Sequence, residues 1–291
     1  GHIVPKHELI LEKGFRGIIE DAKEKLKNDN LTEENIVFYQ AVIIALEGAL
    51  NFIKRYSVLA YEMADKEIDL KPKKELLDIG KMCETLMEKP DQSFYEGCEV
   101  CYLVHMLQMI ESNGHSFCYG RFDQYMYDFY KKDLENGVSE QEICDVIHEL
   151  KLRIEEMWYL RDEYESAAYP GCALYIQMTI GGQKTDGSDA CNDLTKLILH
   201  GMEDLQTKEP PVSFRYHDNI DEETFRLAIK VALTGGSHPA FFNDNNSIPA
   251  LMELGFTEEQ ARNWCLLGCT EPIVPGVSDY QSMLGFFNLI K

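Results

Sequence analysis

Apolar residues recur at helical spacing through most of the first 165 positions. Over 7–28, Leu9, Ile10, Phe15, Ile18, Ile19 and Ala22 are separated by Lys and Glu, which predicts an amphipathic helix. Asn30-Leu31-Thr32-Glu33-Glu34 supplies a start signal, and Ile36, Tyr39, Val42, Ile43 and Leu46 carry a second, long helix to about residue 65. The same spacing predicts helices over 74–88, 94–111 and 138–165. Between the last two lies a polar, glycine-marked loop, Glu111-Ser-Asn-Gly-His-Ser116, which runs on into Gly120-Arg-Phe-Asp-Gln-Tyr125.

Beyond residue 165 the period changes. Tyr175–Ile180, ending at Gly181-Gly182, then Pro211–Tyr216 and Ala240–Asn243 are short strand candidates, with helices expected at about 189–205, 221–234 and 245–264 between them. Strand alternating with helix predicts an α/β protein whose helices pack around a sheet or barrel. No internal repeat, low-complexity tract or flexible linker breaks the chain, so 1–291 reads as part of one domain, mainly helical to 165 and strand/helix from 166. The chain opens on Gly1 inside an ongoing pattern and closes on Phe286-Phe287-Asn288-Leu289-Ile290-Lys291 without a stop signal. The expectation is a piece of a longer polypeptide.

Composition narrows the function classes. Fifty acidic residues against 28 basic ones leave a net charge of −22, which repels nucleic acid and anionic membranes, and no basic stripe offsets it. No apolar run is read as near the roughly eighteen residues of a membrane span, and no signal peptide is read at the start. Nine cysteines, an odd count scattered through helical patterns, do not form a secreted disulfide framework. They favour a reducing cytoplasm.

Gly268-Cys269-Thr270-Glu271-Pro272 carries the strongest chemistry. In an extended loop residues i and i+2 point to the same side, so the Cys269 thiol and the Glu271 carboxyl can face one small cavity. A sulfur to take an atom and a carboxyl group to move a proton make a reaction centre; the bland reading is a buried cysteine on a turn beside an exposed glutamate. His115-Ser116 can hold hydroxyl or carboxylate groups of a small substrate, or can be a turn whose polar groups satisfy the local backbone. Cys98-Glu-Val-Cys101 has CxxC spacing without a second pair, which reads as helix-face packing rather than a zinc or iron–sulfur site. His105, His148, His200, His217 and His238 are dispersed, and Gly181-Gly182 with Gly187 lacks the ending of a phosphate loop.

Taken together these motifs resemble the glycyl radical enzymes, the superfamily of pyruvate formate-lyase, and within it the eliminase and decarboxylase branch, whose loop reads Gly-Cys-x-Glu-Pro. Gly1-His-Ile-Val-Pro5, Glu111–Ser116, Gly120–Tyr125, Thr179-Ile-Gly-Gly182, Gly187-Ser-Asp-Ala190 with Asn192, and Asn243-Asp244 ahead of Ile248-Pro249-Ala250 match in the same order. The resemblance implies about half of a ten-stranded α/β barrel with an extensive helical surround, ending just past a cysteine loop at the barrel's centre. It implies that a glycyl radical takes a hydrogen atom from Cys269 and that the resulting thiyl radical takes one from the substrate. Glu271 is then the general acid or base, His115 and Ser116 position the substrate, Tyr175 sits where the branch has an aromatic pocket residue, and Ser282 belongs to the substrate pocket. The implied partners are a small hydroxylated or carboxylated metabolite, an S-adenosylmethionine-dependent radical activating enzyme and a second subunit in a homodimer. No metal or organic cofactor is implied in this chain.

The departures are informative. Pyruvate formate-lyase carries two adjacent cysteines where this chain has Gly268 and Cys269, which argues against a formate acetyltransferase. Glycerol-type dehydratases continue into a His-Asp pair where this chain has Ser282-Met283, and Met283, Phe286 and Phe287 suit a bulkier substrate such as an arylacetate losing its carboxyl group. No Arg-x-x-Gly-Tyr glycine loop occurs in these residues, so the radical's glycine is expected elsewhere in a longer parent and this piece alone is expected to be inactive. The parent is read as an anaerobic lyase that dehydrates, eliminates or decarboxylates. The alternatives are a formate acetyltransferase-like enzyme, a thiol enzyme with Cys269 as nucleophile, and a non-catalytic truncated paralogue acting as an interaction module.

Overall fold

The structure is a computed structural model and describes residues 2–88, 93–158, 160–168, 174–236 and 238–278. The chain divides into two compact units, one of Glu8–Val100 and one of Gly1–His7 with Cys101–Lys291.

The unit Glu8–Val100 is helical. It holds α1 (His7–Lys25), α2 (Glu33–Lys66), α3 (Leu70–Glu88) and the start of α4 (Phe94–Ser112). Thr32 opens α2: its hydroxyl accepts the Asn35 N–H at 3.2 Å, and the Asn35 side chain returns to the Thr32 N–H at 3.4 Å. At the other end Glu67 leaves the helix, and its carboxylate accepts the N–H groups of Ile68 and Asp69. So short a connection turns α3 back along α2. The two helices meet at Gly80, where an added Cβ would come within 2.8 Å of the Tyr61 ring and where Ser57 donates to the Gly80 carbonyl at 3.0 Å.

One expectation fails here. By length and composition alone, α2 is apolar enough to cross a membrane. Tyr39, Gln40, Glu47 and Asn51 interrupt its apolar run, and of these Glu47 alone is charged. Much of that surface is exposed, including Val37, Phe38 and Ile44.

The other unit is built on a four-stranded parallel sheet. Strands β1 (Gly120–Arg121), β2 (Met178–Gly181), β3 (Val212–Tyr216) and β4 (Ala240–Asn243) lie side by side in chain order. Helices α5 (Phe122–Tyr125), α6 (Tyr127–Glu135), α7 (Glu140–Glu155) and α8 (Glu163–Ala168) return the chain from β1 to β2. Helix α9 (Asp193–Asp204) connects β2 to β3, and α10 (Glu222–Ala232) connects β3 to β4. Such a sheet is covered on both faces: Met178, Ile180, Val212 and Phe214 are buried on one, and Thr179, Ser213 and Arg215 on the other. Asn192, Asp221 and Thr257 cap the following helices with their side chains, as their residue types favour.

After β4 come α11 (Asp244–Glu253) and α12 (Glu258–Arg262), then an antiparallel hairpin of β5 (Cys265–Leu267) and β6 (Glu271–Ile273). Cys265 pairs with Ile273, Leu266 with Pro272 and Leu267 with Glu271, so Gly268, Cys269 and Thr270 form the turn. Alternate residues face opposite ways. Cys265, Leu267 and Ile273 pack with Val4 and Cys118, while Leu266 packs with Trp264 and Val274.

Several element boundaries differ from expectation. The helix expected over 138–165 ends at Glu155, and beyond it Trp158 and Leu160 are exposed rather than continuing the buried stripe. The helix expected over 245–264 is broken at Gly255, whose φ of 99° no helix tolerates, and its last residues lead into β5. The polar loop after α4 carries β1, too short for any period to show. Cys98 and Cys101 are buried on α4, as helix-face packing predicts.

Candidate active site

The hairpin runs along the sheet against the direction of the strands, and its hydrogen bonds trace the path. Its base lies where β3 and β4 end. Arg215, at the end of β3, makes a bidentate pair with Asp244 at 2.7 and 2.8 Å, and both side chains are fully buried. The same guanidinium donates to the carbonyls of Trp264 and Arg262, at 2.6 and 3.0 Å, and stacks on the Trp264 ring. Trp264 Nε1 donates to Asp244 at 2.9 Å, and Arg121 from β1 donates to the carbonyls of Gly181 and Arg262. Midway along, Leu266 N–H donates to the Thr179 hydroxyl of β2 at 3.0 Å. The turn lies beyond, against residues that precede β1 and β2.

That turn is not the extended loop the i, i+2 argument assumed. Cys269 sits at the tip of a three-residue turn, and Glu271 is the first residue of β6. The turn's own fold brings the two groups together. Gly268 has φ 57°, and its position is crowded: an added Cβ would lie 2.8 Å from the His2 ring and 3.0 Å from Glu271 Oε2. Glu271 Oε2 also accepts the Thr270 N–H at 3.0 Å, which folds the carboxylate back over the turn. His2 and His115 meet edge to face with ring centroids 4.6 Å apart.

The electrostatics follow from burial. The Cys269 thiol is exposed at the tip, yet partial desolvation and the neighbouring Glu271 charge both raise its pKa, so it keeps its proton at neutral pH. Burial lowers the His115 pKa to about 4, with His2 adding to the effect and Glu271 opposing it. Burial lowers the His2 pKa as well, against the pull of Glu271. Both imidazoles are therefore neutral at pH 7 and able to donate and accept hydrogen bonds.

Ser116 is fully buried with φ 65°, and its hydroxyl has no hydrogen-bond partner among the described residues. Its backbone is firmly held: Ser116 N–H donates to the Leu174 carbonyl at 2.8 Å, and its own carbonyl accepts the Ile3 N–H at 3.2 Å. Tyr175 is also left-handed, with φ 52°. The buried Glu209 carboxylate accepts three successive N–H groups, those of Leu174, Tyr175 and Ile176, at 2.7, 2.8 and 3.0 Å. Non-glycine residues seldom adopt such a conformation, and two of them in facing segments mark a site where backbone strain is held by its surroundings.

The family model described as pyruvate formate lyase-like matches residues 1–291. The chain belongs to the pyruvate formate lyase-like family. It is 32% identical over 300 residues to a protein named probable dehydratase YbiW of Escherichia coli (strain K12), covering all of this chain and 37% of that protein. It is 34% identical over 277 residues to the (2S)-3-sulfopropanediol dehydratase of Klebsiella oxytoca, covering 93% of this chain and 34% of that one. Among solved structures it is similar to the glycerol-bound B12-independent glycerol dehydratase of Clostridium butyricum, with TM-score 0.89 and 34% identity over 95% of this chain and 35% of that one. The chain thus spans about a third of the length of the relatives it matches, and its parallel sheet with surrounding helices is part of a glycyl radical enzyme barrel.

For this pyruvate formate lyase-like chain, the structure gathers Cys269, Glu271 and His115 around one turn and sets Ser116 and Tyr175 on the segments beneath it. Ser282, Met283, Phe286 and Phe287 lie outside the described residues. Three residues of the site were not singled out from the sequence. His2 sits inside the matching Gly1–Pro5 motif, and only the pairing of Ile3 with Phe117 reveals where it points. Cys118 and Gln177 carry no local signal, since one lies among apolar residues and the other in a strand pattern.

Proposed function

We propose that the full-length protein is an anaerobic glycyl radical lyase, acting on a small hydroxylated or carboxylated metabolite, with Cys269 as its hydrogen-atom-transferring thiol. The observation that carries this reading is the crowding of His2 and Glu271 about Gly268, next to Cys269, together with the buried Ser116 hydroxyl, which has no partner among the described residues. A glycyl radical supplies the chemistry at Cys269 by removing the thiol's hydrogen atom. A thiolate has no hydrogen atom to give, so the raised pKa of Cys269 suits this role, whereas a nucleophilic cysteine needs its pKa lowered. Cys269 then takes a hydrogen atom from a substrate carbon and returns it once the bond beside that carbon has broken. Glu271, beside the thiol, accepts the proton of an adjacent hydroxyl or carboxyl group as the substrate radical forms. His115, His2 and Ser116 offer neutral donors and acceptors for hydroxyl groups, and Tyr175 forms the aromatic side of the pocket.

Elimination of a leaving group is favoured over formate acetyl transfer because Gly268 occupies the place of a second adjacent cysteine and relatives are named dehydratases and sulfite-lyases. The residues described present a thiol, a carboxylate and polar side chains to a radical, which fits that cofactor's needs; its glycine is assigned to the parent's remaining length. The activating enzyme, an S-adenosylmethionine-dependent radical protein, and a homodimeric parent belong to the same proposal. So does a cytoplasmic setting, supported by Cys83, Cys118, Cys144, Cys191 and Cys269 standing as free thiols among the described residues.

The experiment is anaerobic activation of the full-length protein followed by electron paramagnetic resonance and turnover with diols, hydroxysulfonates and arylacetates. A carbon-centred radical with elimination product supports the reading. Alkylation of Cys269 that is already rapid well below the ordinary thiol pKa of about 8.5, with no radical formed, would sink it in favour of a nucleophilic cysteine.

A further inference from the structure

The turn that carries Cys269 is held by more than its own short ladder. Two buried side chains grip the backbone on either side of that residue. On one side Gly268 N–H donates to Cys118 Sγ at 3.3 Å. On the other the Cys269 carbonyl accepts from Gln177 Nε2 at 3.4 Å. The two grips are joined, because Gln177 N–H donates to the same Cys118 sulfur at 3.3 Å. The Ser213 hydroxyl in turn donates to Gln177 Oε1 at 2.6 Å, fixing the amide so that its NH2 group faces the turn. Cys118, Gln177 and Ser213 are 1%, 5% and 0% exposed.

Cys118 also packs with Val4, Cys265, Leu267 and Ile273, which is what a buried cysteine acting as a small hydrophobe would do. Its polar surroundings say more. Besides the two N–H groups it accepts, its thiol lies 3.4 Å from the carbonyls of Ser116 and of Tyr175, and it can donate to one of them at a time. One sulfur thus meets polar groups from the His115-Ser116 segment, the Tyr175–Gln177 segment and the cysteine turn. Sulfur's long hydrogen bonds allow this reach. Burial pushes the Cys118 thiol up to about 12, against the two N–H bonds, so it remains protonated beside the working thiol.

We propose that Cys118 and Gln177 are positioning residues that hold the Gly268 N–H and the Cys269 carbonyl and thereby fix the direction of the Cys269 thiol. The inference rests on the reading of Cys269 as the hydrogen-atom-transferring group. Neither residue touches the reacting atoms in this account. A displacement of the thiol by about an ångström is enough to cost about a hundredfold in rate, so a grip of this kind has kinetic consequences.

The test uses the full-length protein and the variants Cys118→Ala, Cys118→Ser, Gln177→Leu and Gln177→Glu. After activation, Cys118→Ala and Gln177→Leu should carry as much radical as wild type while kcat falls about ten- to a hundredfold and KM stays within about twofold. Cys118→Ser, which keeps an acceptor and a donor, should recover most of that loss; Gln177→Glu, which keeps the size but not the donor, should not. In the resting protein, with no radical, hydrogen exchange at the Gly268 amide should quicken at least about tenfold in Cys118→Ala and stay near wild type in Cys118→Ser. Wild-type exchange at Gly268 together with wild-type kcat in Cys118→Ala would overturn the proposal. So would a loss seen only in KM, or a serine variant no better than alanine. A wild-type protein that forms no radical and turns nothing over would instead defeat the lyase reading, and the exchange measurement would still decide whether the grip exists.

Discussion

The two ends of the hairpin are built on opposite terms. At its base Arg215, Asp244 and Trp264 are fully or almost fully buried, and their polar atoms meet partners: two carboxylate–guanidinium bonds, an indole N–H and two backbone carbonyls. At its tip the thiol is exposed, the Ser116 hydroxyl is buried without a partner among the described residues, and Ser116 and Tyr175 hold left-handed backbones. The paired Arg215, Asp244 and Trp264 fix where the tip points, as a preorganised site requires. Parallel α/β sheets usually place ligands beyond the strands' carboxyl ends. Here that end is filled by the hairpin's base, and Cys269 and Glu271 are delivered to the other end.

The contrast can be broken most forcefully at the tip's own carboxylate. Glu271→Gln keeps the shape but cannot take a proton, and should lower kcat by about 10²–10⁴-fold with a change in unfolding free energy below about 1 kcal/mol. If urea denaturation shows Glu271→Gln as destabilised as a variant of the base, the division between tip and base is wrong. At the base, Asp244→Ala strands a buried guanidinium and should cost about 3–5 kcal/mol of stability, read from the denaturation midpoint. A loss of activity in Asp244→Ala without a shift of that midpoint would put Asp244 in the chemistry instead.

Acid sharpens the comparison differently. His7 and His105 flank Tyr119 in a stack, and burial lowers their pKa to about 3 and about 4. Their unfolded counterparts titrate near 6.5, so between about pH 4 and 6.5 the unfolded chain binds more protons and stability must rise with pH. The contribution is complete above about 6.5 and is lost as pH falls toward 4. His105→Gln should flatten this slope in pH-resolved denaturation; an unchanged slope would contradict the burial argument. The smallest effect belongs to Ser116→Ala. Removing an unpartnered hydroxyl should leave stability unchanged or slightly improved, while losing one substrate hydrogen bond, worth about 1 kcal/mol, should raise KM about fivefold.

Much of this was legible from residue order. Period 3.6 located α1 and α2 to within a few residues, and Ala240–Asn243 was read at its true bounds. The glycine pair at 181–182 correctly ended β2. What could not be read was short or non-local. β1 has two residues, and β5 and β6 have three each, too few for any alternation to emerge. The hairpin itself was concealed because Cys265-Leu266-Leu267 is an unbroken apolar run that shows no alternation. In the site, Cys269 and Glu271 are neighbours in sequence and could be paired by eye. Cys118 and Gly268 are 150 residues apart and are joined by a hydrogen bond that only the fold brings about.

The most direct test of the central claim is a side-by-side measurement on the activated full-length wild type and Cys269→Ala, recording radical content by electron paramagnetic resonance and substrate consumption in the same anaerobic samples. The account predicts comparable radical in both proteins and turnover only in wild type. Turnover by Cys269→Ala at a rate near wild type would show that the thiol at the hairpin's tip is not the group that passes the hydrogen atom.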